Sequence, residues 1–228
     1  MPSMITTTDI PSLRLSKSTF LYGVQCPRRL WLYKNCYKER ELPDKETLAK
    51  FSAGTDIGMQ ARLLFPGGID ASTDGPFFLQ QSIKKTIQYI RQWHSIIYEA
   101  AFQTEGVYCA LDILVKKKGK WYAFEVKSSY QVKDYHINDA ALQYFVISKS
   151  IPLEDITIIH LTPADEEGKV EFSATSVLPE VLMQQEFISQ KLSELQNVID
   201  SKSPPLVAKG THCLKPFACD FQKICELK

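Results

Sequence analysis

The stretch "ALDILVKKKGKWYAFEVKSS", residues 110–129, decides the fold of this 228-residue chain. Two runs rich in β-branched and aromatic residues lie on either side of a Lys-Lys-Lys-Gly-Lys turn. Alternating side chains on both sides of a glycine-containing turn are typical of a β-hairpin. The sequence therefore predicts two antiparallel strands, over 106–117 and 120–130.

Acidic residues interrupt both strands of this hairpin. Asp112 lies in the first strand, and Glu125 lies in the second, two residues before Lys127. Because side chains alternate along a strand, Asp112 is expected to share a face with Ala110 and Leu114. By the same rule, Glu125 is expected to share a face with Lys127. Neighbouring strands lie about 4.8 Å apart, so the hairpin can bring the two carboxylates onto one hard cation.

Two interpretations of Asp112, Glu125 and Lys127 are open at this point. In the first, the three side chains line a solvated face of the sheet, since antiparallel sheets often have one face in water. In the second, they form a Mg²⁺ or Mn²⁺ site in which the metal polarises a phosphodiester and acidifies water. Lys127 would then position or activate that water. Burying these charges without partners would be too costly to be a third option.

Hydrophobic periodicity places helices on both sides of the hairpin. Helices are predicted at 16–26, with Ser16 as the N-cap, and at 44–65, 77–94, 136–150 and 178–201; further strands are predicted at 95–103 and 155–163. This order of elements predicts an α/β fold with a central mixed sheet flanked by helices. One compact unit is expected, with a loose arm at 1–15, an N-terminal helical region (1–95), a core (96–200), a linker at 201–210 and a cysteine-rich tail (201–228).

Composition excludes several classes of protein. A hydrophobic content of 44% suits a folded core, and 27 Lys and Arg residues against 26 Asp and Glu residues leave almost no net charge. A nucleic-acid partner would therefore bind through local basic patches. The sequence contains no membrane-length apolar run and no secretory signal, which predicts a cytoplasmic protein without membrane contact.

Six cysteines in a reducing compartment predict thiols or metal ligands in preference to disulfides. Cys213, Cys219 and Cys225 follow one another at intervals of six residues. Tetrahedral sulfur sites use four thiolates, so a metal site here requires one more cysteine from elsewhere. Zinc is one possible metal, although structural zinc usually draws on cysteine pairs two to four residues apart. Cys109 is expected in the core, and Cys36 is expected to be a small core or surface residue.

Asp112, followed after the hairpin by Glu125 and Lys127, resembles the D…ExK signature of the PD-(D/E)xK nuclease superfamily, whose core is restriction-endonuclease-like. The sequence "DAALQYF" at 139–145 resembles the glutamine motif of the RecB-like branch, which implies that Gln143 belongs to the active site. The resemblance implies that Asp112 and Glu125 bind Mg²⁺ or Mn²⁺. Lys127 would orient the attacking water, and Gln143 would hold water or the scissile phosphate.

Two further acidic residues are candidates for the same site. Glu99 lies in the strand that precedes the strand of Asp112, so it is a candidate third metal ligand. Asp139 lies one helical turn before Gln143 on the same helix face. For Asp139, a solvated position and a role in the site are both open.

The cysteines carry a second resemblance, to the iron–sulfur nucleases of the RecB-like branch, which include CRISPR-associated adaptation nucleases and helicase–nuclease subunits. Those proteins place one cysteine before the core, often followed by proline, and three cysteines after it. Here Cys26 precedes Pro27. The resemblance implies a [4Fe-4S] cluster that joins the N- and C-terminal segments and is held by Cys26, Cys213, Cys219 and Cys225.

The two resemblances together imply a metal-dependent DNA nuclease that acts on single-stranded ends, with protein partners in DNA repair or CRISPR adaptation. One departure keeps alternatives open. Iron–sulfur nucleases of this branch usually carry a histidine in an early helix, in a pattern like GxxxH, and the segment 54–58 has none. The alternatives are a DNA-binding or partner-docking module of the same fold that no longer cuts, and a zinc-bound scaffold protein.

Basic and aromatic residues are interleaved early in the chain. Arg28, Arg29 and Lys34 lie close in sequence to Trp31 and Tyr33. Single-stranded nucleic acid is commonly bound by such a mixture of phosphate contacts and stacking platforms. A contact surface for DNA is one interpretation of this segment, and a structural role is the other.

Overall fold

The computed structural model describes residues 13–73, 75, 78–163 and 171–226, and most of the predicted arm at 1–15 lies outside them. A seven-stranded mixed sheet forms the centre of the molecule. Its strands are β1 (Leu15–Ser16), β2 (Ile69–Asp70), β3 (Ile96–Thr104), β4 (Val107–Lys117), β5 (Lys120–Lys127), β6 (Leu153–Thr162) and β7 (Glu171–Ser176). Six strands follow the order β2-β3-β4-β5-β6-β7, and β1 pairs with β4. The predicted mixed sheet is confirmed.

Chain connections explain the direction of each strand. The pairs β3–β4 and β4–β5 are antiparallel hairpins, and their turns contain Gly106 and Gly119 at positive φ. Glycine adopts this conformation without the steric cost that a Cβ atom adds. β5 and β6 are parallel because a helix connects them, whereas β6 and β7 are antiparallel. The hairpin predicted from the 110–129 stretch is therefore present at the centre of the sheet.

Helices cover both faces of the sheet. They are α1 (Lys17–Gln25), α2 (Pro27–Asn35), α3 (Lys45–Ala61), α4 (Leu79–Arg91), α5 (Asp134–Ser148), α6 (Leu178–Met183) and α7 (Gln185–Asp200). The larger core contains residues of α1, α2, α5, α6 and α7, whereas α3 and α4 pack on the opposite face. The result is a helix–sheet–helix arrangement. Within the described part of the chain, no helix has the length and apolar character needed to cross a membrane.

The central hairpin opens at one end. The β4–β5 ladder joins residues 113–117 to residues 120–124. Beyond that point β5 continues beside β6 as far as Lys127, while Val107 and Tyr108 at the start of β4 pair with β1. β4 and β5 therefore separate at Asp112 and Glu125. Backbone groups in the resulting fork need side-chain partners, because no strand lies between β4 and β5 there.

Side-chain alternation along β4 breaks at the same place. Leu111 and Leu114 both pack in the larger core, whereas Ile113 packs on the opposite face. The prediction that Leu114 faces away from Leu111 is therefore wrong. The physical reason is a local irregularity shared with β3, where Glu99 lies across from Asp112 and has a φ of 51°.

Two helices differ from their predicted form. The apolar stripe of α3 is largely in solvent, since Leu48 is 53% exposed and Phe51 is 61% exposed. The predicted long helix at 178–201 is divided into α6 and α7, which meet at Gln184. In α7, Ile188, Leu192 and Leu195 are buried, and Phe187 is exposed.

The cysteine-rich tail packs against α1 and α2. Arg28 is buried and donates to the carbonyl oxygens of Cys225, at 2.7 and 3.1 Å, and of Pro205, at 3.0 Å. Arg29 is also buried, and its Nε and Nη2 atoms lie 2.9 and 2.8 Å from Oδ1 of Asp220. These two arginines hold the tail, so the interpretation of Arg28 and Arg29 as a DNA-contact surface is wrong.

Packing between α1 and α7 yields a stability prediction. A Cβ atom added at Gly23 would lie 2.5 Å from Cδ1 of Leu195, which is fully buried. Gly23→Ala should lower the free energy of unfolding by about 1–3 kcal/mol, because this overlap outweighs the gain in helix propensity. Gly58→Ala in α3 is the matched control, since nothing lies within 4 Å of its added Cβ atom. The control should gain about 1 kcal/mol in urea denaturation. Equal effects of both variants would contradict the packing argument.

Candidate active site and cysteine site

The fork between β4 and β5 brings together the acidic residues predicted from the hairpin. Glu125 is 2% exposed, and Nζ of Lys127 lies 2.6 Å from its Oε1 atom. Asp112 turns its carboxylate into the opening, where Oδ2 accepts a hydrogen bond of 2.6 Å from the backbone N–H of Val126. The Asp112 carboxylate thereby accepts the hydrogen bond that a neighbouring strand would otherwise accept from β5 at this position. The structure places Asp112, Glu125 and Lys127 in one site.

A second lysine, which the sequence did not suggest, completes this group. Lys17 lies in the first turn of α1, directly after Ser16, whose side chain caps the helix. Its Nζ atom lies 2.8 Å from Oε1 of Glu125 and 3.5 Å from Oδ1 of Asp139. One signal could have revealed it: a cation next to an N-cap opposes the helix dipole, so such a residue usually has another partner.

Helix α5 contributes two polar side chains to the fork. Asp139 is buried, and its Oδ2 atom forms a close ion pair with Lys127. Gln143 is fully buried, and its Nε2 atom donates to Oε2 of Glu125 at 2.6 Å and to the carbonyl oxygen of Ala110 at 3.2 Å. Gln143 therefore lies beside Glu125, and its role in an active site stays a prediction. For Asp139, the structure favours the site over the solvated position.

Burial and neighbouring charges shift the pKa values of the site in opposite directions. Burial raises the pKa of Asp112 to about 8, and the nearby Glu125 adds to this rise. Burial also acts to raise the pKa of Glu125, but Lys127 and Lys17 outweigh it and hold that pKa below its usual range. For both lysines burial acts to lower the pKa, yet the neighbouring carboxylates, Asp139 foremost, raise it. Near neutral pH, Glu125 is therefore ionised and both lysines are ammonium groups.

Glu99 lies across from Asp112 but has a different partner. Its Oε1 atom accepts from Nη2 of Arg62 at 2.9 Å, and the same guanidinium donates to Oδ2 of Asp70 at 2.6 Å. Burial raises the pKa of Glu99, and Arg62 opposes that rise. The structure thus ties Glu99 to Arg62, at the edge of the site, and its role as a third metal ligand stays a prediction.

The fork has the donor set of a hard divalent cation, because its side chains present carboxylate and amide oxygens. One of these oxygens, Oε1 of Gln143, is buried and accepts no hydrogen bond, whereas Oδ1 of Asp139 has the Lys17 ammonium 3.5 Å away. Buried acceptors normally have a partner, so Oε1 of Gln143 fits a bound cation or its water ligand. Nevertheless, in the described ranges no three or more His, Cys, Asp and Glu side chains are already arranged to hold one metal ion.

The four cysteines implied by the resemblance line a single cavity. The cysteines are Cys26, Cys213, Cys219 and Cys225. The cavity walls also include Arg29, Leu32, Val207 and His212. Two polypeptide segments far apart in sequence therefore meet at this cavity. Its thiol groups and partly apolar walls fit a sulfur-ligated metal centre.

Backbone N–H groups point at two of these sulfur atoms. Burial raises the pKa of Cys26, while the backbone N–H groups of Arg28 and Arg29 oppose that rise. Burial likewise raises the pKa of Cys219, and the backbone N–H of Phe221 opposes it. N–H donors of this kind stabilise thiolates in metal sites. Cys36 and Cys109 take no part in the cavity lining, and Cys109 is fully buried in the core, as predicted.

The mixed sheet between helices is opened by two strands that carry Asp112, Glu125 and Lys127 into one fork, which is the arrangement that the resemblance to the PD-(D/E)xK nucleases implies. No protein-family model matches the sequence, and no curated protein matches it significantly. Solved structures do match. A candidate exonuclease from Eubacterium rectale aligns over 94% of this chain and 87% of its own, at 13% identity and a TM-score of 0.50.

Two other solved structures align less closely. The alkaline exonuclease LHK-Exo from Laribacter hongkongensis covers 82% of this chain and 90% of its own, at 10% identity and a TM-score of 0.47, and it has also been solved with dAMP. The protein SSO0001 covers 87% of this chain and 82% of its own, at 13% identity and a TM-score of 0.45. The fold assignment rests on the match to the Eubacterium rectale protein, and the predicted resemblance is confirmed for the fold.

The charges of the fork predict opposite effects for two similar substitutions. Glu125→Gln removes the carboxylate that both lysines share, so it should lower the free energy of unfolding by about 3 kcal/mol without added divalent metal. Asp112→Asn keeps an oxygen acceptor for the Val126 N–H and replaces a carboxyl group whose pKa is raised to about 8, so it removes little charge near neutral pH. It should leave stability unchanged or raise it. Urea denaturation of both variants checks this, and equal destabilisation would contradict the assigned charges.

Proposed function

We propose that this chain is a metal-dependent DNA nuclease that hydrolyses phosphodiester bonds. The observation that carries the proposal is the convergence of Asp112, Glu125 and Lys127 in the fork between β4 and β5, where Nζ of Lys127 lies 2.6 Å from Glu125. A solvated sheet face, the other interpretation of these residues, disagrees with the burial of Glu125. The exonuclease fold supports the same proposal.

Each residue of the fork has a role that follows from its surroundings. Asp112 and Glu125 would hold Mg²⁺ or Mn²⁺, which when bound polarises the phosphodiester and acidifies water. Lys127 is an ammonium group whose pKa is raised by Asp139 and Glu125. It therefore donates hydrogen bonds and does not act as a base, so it would orient water through its N–H groups. Asp139 fixes the position of the Lys127 ammonium.

Gln143 has a narrower role than the resemblance implies. Its Nε2 atom is already occupied by Glu125 and by the carbonyl oxygen of Ala110. Only Oε1 is free, and an oxygen acceptor repels a phosphate oxygen but accepts a hydrogen bond from water. Gln143 is therefore a positioning residue that orients Glu125, with one acceptor left for water.

Single-stranded DNA ends are the proposed substrate. Exposed aromatic side chains lie on segments next to the fork: Tyr130, three residues after Lys127, is 62% exposed, and Phe51 is 61% exposed. Phe51 belongs to α3, and this helix passes next to the residue that follows Lys127. A Cβ atom added at Gly54 of α3 would lie 3.9 Å from Oγ of Ser128. Exposed rings beside a phosphate-cleaving site suit unpaired bases, which stack on them. Protein partners in DNA repair or CRISPR adaptation stay a prediction from the resemblance.

The cysteine cavity is proposed to hold a [4Fe-4S] cluster. The four thiols line one cavity, but they are not arranged around a single ion. In such a cluster each thiolate binds a different iron atom, so the four sulfur atoms stand further apart than around one zinc ion. The resemblance favours the cluster, and metal analysis distinguishes it from zinc.

A second function is favoured by one observation. Where α3 passes Ser128 it carries Gly54 and Gly58, and no histidine lies in that helix. The resemblance places a histidine in this part of an active nuclease. The same fold would then serve as a DNA-binding or partner-docking module that does not cut. A scaffold protein whose four cysteines bind zinc is the third candidate function.

Cleavage of labelled single-stranded DNA in Mn²⁺ tests the nuclease proposal. Lys127→Met should reduce the rate by about 100-fold or more, because it removes the group that orients water. The matched control is Lys191→Met on α7, where the lysine pairs with Glu194 away from the fork. The control should cleave like the original protein. Binding of DNA without cleavage by the original protein would favour the docking module, and full activity of Lys127→Met would remove the assignment of Lys127.

Metal analysis of two cysteine variants tests the cluster. The purified protein should be brown and contain iron and inorganic sulfide, and Cys26→Ser should lose both. A cluster would close the long loop between Cys26 and the cysteines of the tail. If the relation between loop length and stability for disulfides applies, this closure contributes about 4 kcal/mol, so Cys26→Ser should also unfold at lower temperature. Cys36→Ser, outside the cavity, should keep iron and stability. A colourless native protein with stoichiometric zinc would overturn the cluster.

A further inference from the structure

The two lysines of the fork are bound differently. Lys127 contacts Glu125 at 2.6 Å and forms a close ion pair with Asp139. Lys17 has one hydrogen bond, of 2.8 Å to Oε1 of Glu125, and lies 3.5 Å from Asp139. Lys127 is therefore fixed between two carboxylates, whereas Lys17 can exchange its single hydrogen bond for another anion.

The position of Lys17 in α1 is unfavourable for a purely structural residue. It occupies the first turn of the helix, which contains no acidic residue. The N-terminal end of a helix has positive character, so a cation there is destabilised and an anion is stabilised. A bound phosphate would benefit from both the Lys17 ammonium and the helix end.

The charges of the fork also favour binding of a phosphate. Once a cation is bound to Asp112 and Glu125, their two negative charges and that of Asp139 stand against the two positive charges of Lys17 and Lys127. One divalent cation changes this balance to one net positive charge. A single phosphodiester group neutralises it, so the fork with both lysines matches the charge of one phosphate.

We propose that Lys17 is a phosphate-binding residue of this site, whose ammonium group contacts a non-bridging oxygen of the phosphodiester to be cleaved. The proposal rests on the proposed nuclease function and adds a residue to it. Glu125 keeps Lys17 in place in the absence of DNA. The Lys17 side chain is 23% exposed, so a ligand in the fork can contact it from solvent.

Binding of a single-stranded oligonucleotide in Ca²⁺, followed by fluorescence anisotropy, tests this role. Lys17→Met should weaken binding about 10-fold, the loss expected for one charge-assisted hydrogen bond. The slope of log affinity against log salt should also fall by about 0.7, as one phosphate contact disappears. Lys17→Arg keeps the charge and should keep the slope, and Lys191→Met on α7 should bind like the original protein.

Oligonucleotides with one neutral methylphosphonate linkage identify the phosphate. In the original protein, a substitution at one position should weaken binding, and in Lys17→Met that same substitution should have no further effect, because the partner is already gone. Unchanged affinity and slope in folded Lys17→Met would overturn the proposal. So would a loss of thermal stability without a loss of binding, since Lys17 would then be structural only.

Two further outcomes are distinguishable. If the original protein neither binds nor cleaves the oligonucleotide, the proposed function itself fails. If Lys17→Met does not fold, Lys17→Gln replaces it, because glutamine keeps an N–H donor for Glu125 and removes only the charge. The same loss of affinity and slope is expected of that variant, and their retention would overturn the role of Lys17.

Discussion

Neutralisation of one buried carboxylate determines how the site is assembled. Oε1 of Glu125 accepts from Lys17 and Lys127, and Oε2 accepts from Gln143. A buried carboxylate without partners would cost several kcal/mol, so the fold without bound metal or DNA depends on these donors. They belong to α1, β5 and α5, and Lys17 of α1 lies 108 residues before Glu125. The requirement to satisfy Glu125 therefore positions α1 and α5 against the strand that carries it.

The opening of the sheet follows from the same requirement. Where β4 and β5 separate, the backbone N–H of Val126 donates to Asp112, and the carbonyl oxygen of Ala110 accepts from Gln143. Side chains thus supply the hydrogen bonds that a continuous ladder would supply. Glu99 adopts a left-handed backbone conformation at the same level of the sheet. Such strain is costly and is retained where a site needs an irregular strand.

Local signals in the sequence predicted much of this arrangement. The hairpin, the Ser16 cap and the helical period around Gln143 depend on near neighbours, and the structure contains all three. Other features depend on partners that no local pattern reveals. Lys17 lies 108 residues before Glu125, and a propensity argument gives no reason to join them. The strands β1, β2 and β7 are too short to show an alternating pattern of apolar and polar residues. The arginines of α2 resemble a nucleic-acid contact surface in the sequence, and only the structure shows that they bind the tail.

Helix α1 joins the two sites of the molecule. Lys17 begins it, and Gln25 ends it with hydrogen bonds of 2.6 and 2.7 Å to the carbonyl oxygens of His212 and Phe217 in the tail. An α-helix rises about 1.5 Å per residue and is stiff over two or three turns. The ammonium group of Lys17 and the amide group of Gln25 therefore lie on one stiff helix, roughly 12 Å apart along its axis. The same short helix thus brings a cation to the fork and binds the segment that carries three of the four cavity-lining cysteines.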